Sequence, residues 1–331
     1  MDVTTILVPL DGSTIAEAAL PYAEALAATF QSQIRLLLAL DAAYLGTASA
    51  ALGVDPRIER STWRETSERY LSQTAAPLRH RGVTVDTLVT LGDPVEEILH
   101  AEESAKLVVM ATHGRGTVQR WIIGSVADKV MRLGTRPVLL VRAPEPAEAV
   151  REVMIQRLLV PLDGSPLAEE ALPEAFELAQ ATGASVTLVR VQPWLSAMIL
   201  ADEYGYAADV SEWETDVEEA AKLYLEKVQE RVPAAIHSEA VVLRGNASLM
   251  LEEYAKQHET DLIVMSTHGR SGLRRAILGS VAERLVRAGL PALLIHPIAK
   301  AAETSDTQQT VAGGNEQAPA QRSPKVGAPQ T

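Results

Sequence analysis

The chain repeats itself at long range. ILVPLDGSTIAEAALPYAEALA begins at Ile6, and LLVPLDGSPLAEEALPEAFELA begins at Leu158. THGRGTVQRWIIGSVADKVMR begins at Thr112, and THGRSGLRRAILGSVAERLVR begins at Thr267. Asp11 precedes His113 by 102 positions and Asp163 precedes His268 by 105. Paired motifs held at nearly constant separation require two whole domains, not a stack of short repeats. A length of 331 residues accommodates two. The first domain spans 1–143, a polar connector with two prolines spans 144–152, and the second domain spans 153–298. Residues 299–331 contain no Leu, Ile or aromatic residue. They bury too little apolar surface to offset ordering entropy, which predicts a disordered tail.

Composition narrows the function classes. Thirty Lys and Arg stand against 43 Asp and Glu, a formal charge of −13. That balance argues against nucleic-acid or anionic-membrane binding, which needs a basic face, but allows a small anion in a local site. The absence of cysteine removes disulfides, thiolate metal sites and thiol catalysis. No apolar stretch is long enough to span a bilayer and no leader pattern opens the chain. The expectation is a cytoplasmic protein.

Within each domain, short apolar runs alternate with helical periodicity. In the first, Ile6 to Leu10 reads as a strand buried on both faces. TIAEAALPYAEALAATF reads as a helix with a kink or break near Pro21, and Pro173 falls at the matching place. IRLLLAL, VTVDTLV, KLVVMA and RPVLLVR supply four more strands, and residues 57–81, DPVEEILHAEE and GSVADKVMRLG supply helices. Strand–helix alternation implies a parallel sheet with right-handed crossovers. The fold class is therefore α/β, with two tandem open parallel five-stranded sheets carrying helices on both faces. Ligands of such sheets bind beyond the carboxyl ends of the strands, at a topological switch point.

The second repeated motif lies at such an end. Gly114 and Gly116 permit close backbone approach, and Gly124-Ser125 and Gly279-Ser280 each open a helix. Ser125 with Asp128, and Ser280 with Glu283, have capping-box spacing. Two readings stand on the residues alone: a tight turn with a capped helix, or a helix N-terminus that binds an anion such as phosphate. No P-loop and no G-x-G-x-x-G is present. His113 and His268 lack metal-ligand partners, and they read as loop-ordering residues. Arg115, Arg120, Arg270, Arg274 and Arg275 read either as solvated or as facing phosphates. Asp11 and Asp163 head DGS turns and read as turn-formers, bases or magnesium ligands. No catalytic residue is assigned: Ser13 and Ser165 sit in the turn rather than on a nucleophile elbow. The insertions 41–56 and 193–212 follow the second strands, and Trp194, Tyr204, Tyr206 and Trp213 are placed to cover a ligand or to pack on the surface.

ILVPLDGS, the strand–THGR junction and the later GS resemble the universal stress protein family over residues 4–143 and 156–298. The resemblance implies the adenine-nucleotide alpha-hydrolase-like fold. ATP-binding members carry G-x2-G-x9-G-[ST] at this junction. The first copy has Ala111, Gly114, Gly124 and Ser125, and the second has Ser266, Gly269, Gly279 and Ser280, so the first glycine is replaced in both. The resemblance implies that Asp11 and Asp163, beside Leu10 and Leu162, meet the nucleoside. It places Ala39 and Val191 against adenine. It assigns ribose and phosphates to the glycine loops, with Arg115 and Arg270, and to the helix starts, with Val126 and Val281. The implied ligand is ATP or another adenine nucleotide, with magnesium as an optional companion. The implied role is regulation in stress, with slow hydrolysis the most enzymatic outcome. The alternative is a non-nucleotide protein-interaction module of the same fold. The resemblance further implies that strands 137–142 and 291–296 meet, making the chain an intramolecular pseudo-dimer compatible with a further homodimer. No regulatory protein partner is named by the sequence. Ser266 and the additional arginines favour tighter binding by the second copy.

Overall fold

The protein is represented by a computed structural model in which the described residues are 3–41, 56–112, 123–142, 152–193, 211–267 and 279–296. Gly114, Arg115, Gly269 and Arg270 lie outside them, as do both loop histidines, Arg120, Arg274, Arg275, nearly all of the connector and the tail 299–331. Trp194, Tyr204 and Tyr206 and the side chain of Trp213 lie outside them too.

The first repeat contributes strands β1 (Thr5–Leu10), β2 (Gln33–Leu40), β3 (Val85–Leu91), β4 (Leu107–Ala111) and β5 (Val138–Val141). The second contributes β6 (Arg157–Pro161), β7 (Ser185–Gln192), β8 (Ser238–Arg244), β9 (Leu262–Ser266) and β10 (Ala292–Ile295). Each set of five is parallel, as the periodicity requires. The two sets are halves of one ten-stranded sheet in the order β3-β2-β1-β4-β5-β10-β9-β6-β7-β8. The join is antiparallel, with Ala292 opposite Leu140, Leu293 opposite Leu139 and Leu294 opposite Val138. The expected meeting of the fifth strands is therefore a direct hydrogen-bonded pairing.

Helices cover both faces, and each face has its own core. One core packs α1 (Leu20–Phe30), α2 (Pro56–His80), α6 (Leu172–Thr182) and α7 (Ser211–Gln229) on the sheet. The other packs α3 (Pro94–Glu102), α4 (Ser125–Leu133), α8 (Ala247–Gln257) and α9 (Ser280–Arg287). A short helix, α5 (Pro166–Glu169), precedes α6. The all-buried β1 pattern follows from this double cover. The kink or break expected near Pro21 is a division into two pieces. A 3-10 turn, Ala16–Ala19, is followed by α1 with Pro21 in its first turn, and Pro173 takes the same place in α6. Proline has no N–H to donate, so it is tolerated best in the first turn, where no intrahelical carbonyl is waiting for one; Pro77, near the end of α2, is the exception.

At the amino edge of the first half, Glu102 is almost fully buried. Its Oε1 accepts the Thr135 N–H at 2.7 Å and the Thr135 hydroxyl at 3.2 Å, while Oε2 has no hydrogen-bond partner. Burial pushes the carboxyl above the usual carboxylate range, against the opposing pull of Thr135 and Arg136. A carboxyl whose folded pKa is raised favours the protonated fold. Its contribution is complete below the unfolded pKa of about 4.3 and is lost as pH rises through the folded value.

Two outcomes follow from this architecture. Glu102→Gln, neutral at every pH, is expected to gain stability relative to the parent as pH increases, and urea melts from about pH 5 to pH 8 read that divergence; parallel curves refute it. Residues 1–145 expressed alone leave the apolar β5 edge unpaired, so this half is expected to self-associate as a two-fold dimer. Sedimentation showing a stable monomer refutes that.

Candidate functional site

The order 3-2-1-4-5 within each half places the switch point between β1 and β4, and between β6 and β9. In the second half a pocket of about 250 Å³ opens there. It brings together Leu162 and Asp163 after β6, Val191 of β7, Ser266 of β9, and Gly279, Ser280 and Val281 at the start of α9. Every second-copy site residue expected from sequence and lying within the described residues lines this one pocket. The first-copy residues occupy the matching elements: Leu10 ends β1, Asp11 follows it, Ala39 lies near the end of β2, Ala111 ends β4, and Gly124, Ser125 and Val126 open α4.

The DGS turn is built identically in both copies. Asp163 Oδ1 accepts the Ser165 N–H at 2.9 Å and the Ser165 hydroxyl at 2.6 Å, and Ser165 Oγ accepts the Ala168 N–H at 3.2 Å. Asp11, Ser13 and Ala16 repeat the set. Each aspartate is thus oriented by its own turn, the turn-former reading. Gly12 and Gly164 take positive φ within it, at 78° and 84°. Behind each turn stands a strut: Tyr70 donates to Glu17 at 2.8 Å, and Tyr224 donates to Glu169 at 3.0 Å. Burial and the neighbouring glutamate hold both phenols above their ordinary range.

The capping boxes are not formed. Gly124 and Gly279 are the N-caps, with no side-chain cap bond, and Ser125 and Ser280 are the first helical residues. Asp128 binds Arg132 at 2.8 Å and Glu283 binds Arg287, each one turn on. With glycine at the N-cap, each serine stands at N1 and each acid at N4, one position beyond the N3 that a box needs. Gly279 N–H donates to the Thr267 carbonyl at 3.1 Å, and Gly124 N–H donates to that of Thr112. A Cβ on Gly279 would stand 3.2 Å from that carbonyl oxygen. The glycine therefore serves a close approach between loop and helix, and it leaves the N–H groups of the first turn without a side-chain cap. Such a helix start attracts anions.

Apolar walls surround this polar corner. Val189, Leu251 and Met265 line the pocket, and Ser266 and Thr267 are buried at its base. A mostly apolar cleft with a few convergent polar groups suits an organic anion. Among the described residues, no group of three His, Asp or Glu converges as a metal site. Sequence reasoning passed over Thr112 and Thr267, whose carbonyls anchor the helix starts. Their repetition ahead of both HGR loops was the available signal. It also missed Ala247 and Leu251 of α8, which carry no chemical signature.

The architecture and pocket define a doubly wound α/β protein with a ligand-type cleft at the switch point of its second half. The chain belongs to the universal stress protein family: the profile described as Universal stress protein family matches residues 3–142 and 154–296. A universal stress protein of Mycolicibacterium smegmatis is 29% identical over 222 residues, covering 65% of this chain and 70% of the relative. Universal stress protein Rv2005c of Mycobacterium tuberculosis is 28% identical over 237 residues, covering 68% and 75%. A crystal structure of a universal stress protein from Archaeoglobus fulgidus superimposes with a TM-score of 0.62 at 19% identity, covering 88% of this chain and 96% of that one. That likeness bears on the fold. No helix among the described residues is long and apolar enough to cross a membrane.

Proposed function

We propose that the protein is a regulatory binder of an adenine nucleotide, most naturally ATP, acting in the stress response. The observation that carries this reading is the convergence of Asp163, Val191, Ser266 and the uncapped start of α9 on one pocket. The α9 end supplies backbone N–H groups and the positive end of a helix for phosphate. The hydroxyls of Ser266 and Ser280 add donors, and the apolar walls suit a base. Magnesium, when present, would be carried chiefly on the phosphates, since it keeps most of its own waters and needs few protein ligands. Among the described residues Asp163 is the carboxylate lining the pocket, and its Oδ1 is committed to the turn. The geometry thus supports binding rather than bond cleavage. The first-copy site is proposed to bind the same ligand through Asp11, Ala39, Gly124 and Ser125.

Purified protein is expected to release an adenine nucleotide on heat extraction, or to titrate with ATP calorimetrically. A folded protein that does neither refutes the reading. Ser280→Asp separates binding from folding, because a carboxylate in the first turn of α9 complements the helix dipole. It should leave stability unchanged or raise it by about 0.3–1 kcal/mol, while repelling phosphate and weakening ATP at the second site. Undiminished ATP affinity in this variant would place the phosphates elsewhere.

A further inference from the structure

In the second strand beside the site, the second repeat carries a basic side chain where the first has an apolar one. Arg190 occupies in β7 the place that the aligned Leu38 occupies in β2. Side chains alternate along a strand, and Val189 and Val191 line the pocket, so Arg190 leaves the sheet on the opposite face. Leu38 is buried in the core on that face. Arg190 instead places its guanidinium carbon 4.7 Å from the centre of the Tyr224 ring, a cation–π contact. Its Nη1 lies 3.1 Å from the point where a Cβ would stand on Gly164. The cation is therefore clasped between the ring and the turn headed by Asp163, and the glycine makes room for it.

No ion pair among the described residues neutralises Arg190. Glu169, on the same side, is engaged by the Tyr224 hydroxyl at 3.0 Å and by Arg231 at 2.5 Å. Arg190 and Asp163 both act on the Tyr224 phenol, with opposite signs, so the two charges share one small region. An aspartate lining a cleft repels an anionic ligand. A guanidinium held behind its turn offsets that repulsion without entering the cleft. In the first repeat the Tyr70–Glu17 strut is the same, but a leucine stands behind Asp11.

We infer that Arg190 is a specificity-determining residue of the second site, acting through the Asp163–Gly164–Ser165 turn to favour polyanionic ligands over neutral ones. The inference rests on the nucleotide reading and assigns it a charge preference that differs between the two sites. The test titrates the full chain calorimetrically with ATP and, separately, with adenosine, with the first site as internal reference. Arg190→Leu, which restores the first repeat's residue, is expected to weaken ATP at one site about three- to tenfold. It should leave adenosine unchanged and flatten the salt dependence of ATP binding at that site. Arg190→Lys, which keeps the charge, is expected to retain most of the ATP preference. Equal weakening of ATP and adenosine would make Arg190 a steric support and overturn the inference, as would unchanged ATP binding in a folded Arg190→Leu protein. Absence of binding of either ligand by the parent protein would instead remove the nucleotide reading itself.

Discussion

The antiparallel pairing of β5 with β10 is the contact on which the rest of the molecule depends. Each half is an open parallel sheet, and an open sheet ends in strands whose backbone groups need partners. Four-residue strands with every side chain buried, VLLV and ALLI, would be hazardous as free edges. Pairing them satisfies both at once and lets the helices of the two halves cover a continuous surface. The two cores, one on each face, accordingly draw residues from both repeats. Duplication within one chain makes this contact intramolecular, so it does not depend on protein concentration.

Much of the fold was legible in the sequence, for a definite physical reason. Parallel strands covered on both faces must be apolar throughout, and ILVPL and KLVVMA declare themselves by that. The break at Pro21 and Pro173 was legible because proline cannot donate a hydrogen bond. That the two sheets would be one sheet was visible only as an expected meeting of the fifth strands, because register and hydrogen bonding across the seam depend on tertiary packing. The helix starts were misread in detail. Ser-x-x-Asp and Ser-x-x-Glu satisfy the spacing of a capping box, but the glycine before each serine takes the N-cap, and spacing alone does not fix which residue the helix starts on.

The candidate site was legible in outline for the same reason that the fold was. Strand ends and helix starts are fixed by topology, so residues at those places must converge. Asp163, Val191, Ser266 and Ser280 are far apart in sequence and share one pocket. What remained hidden were the backbone contributors, Thr112 and Thr267, whose carbonyls fasten the helix starts. Arg190 was hidden as well, because its effect depends on which face of β7 it leaves and on the ring it meets there.

The seam between β5 and β10 also gives the molecule a polarity that neither half has. In a parallel half-sheet all carboxyl ends point the same way, and the antiparallel junction turns the second half to face the other direction. The switch points of the two halves therefore open at opposite rims of the sheet. One small ligand cannot bridge them, and one closing segment cannot serve both. A body resting against one rim of the sheet would therefore reach one switch point and not the other.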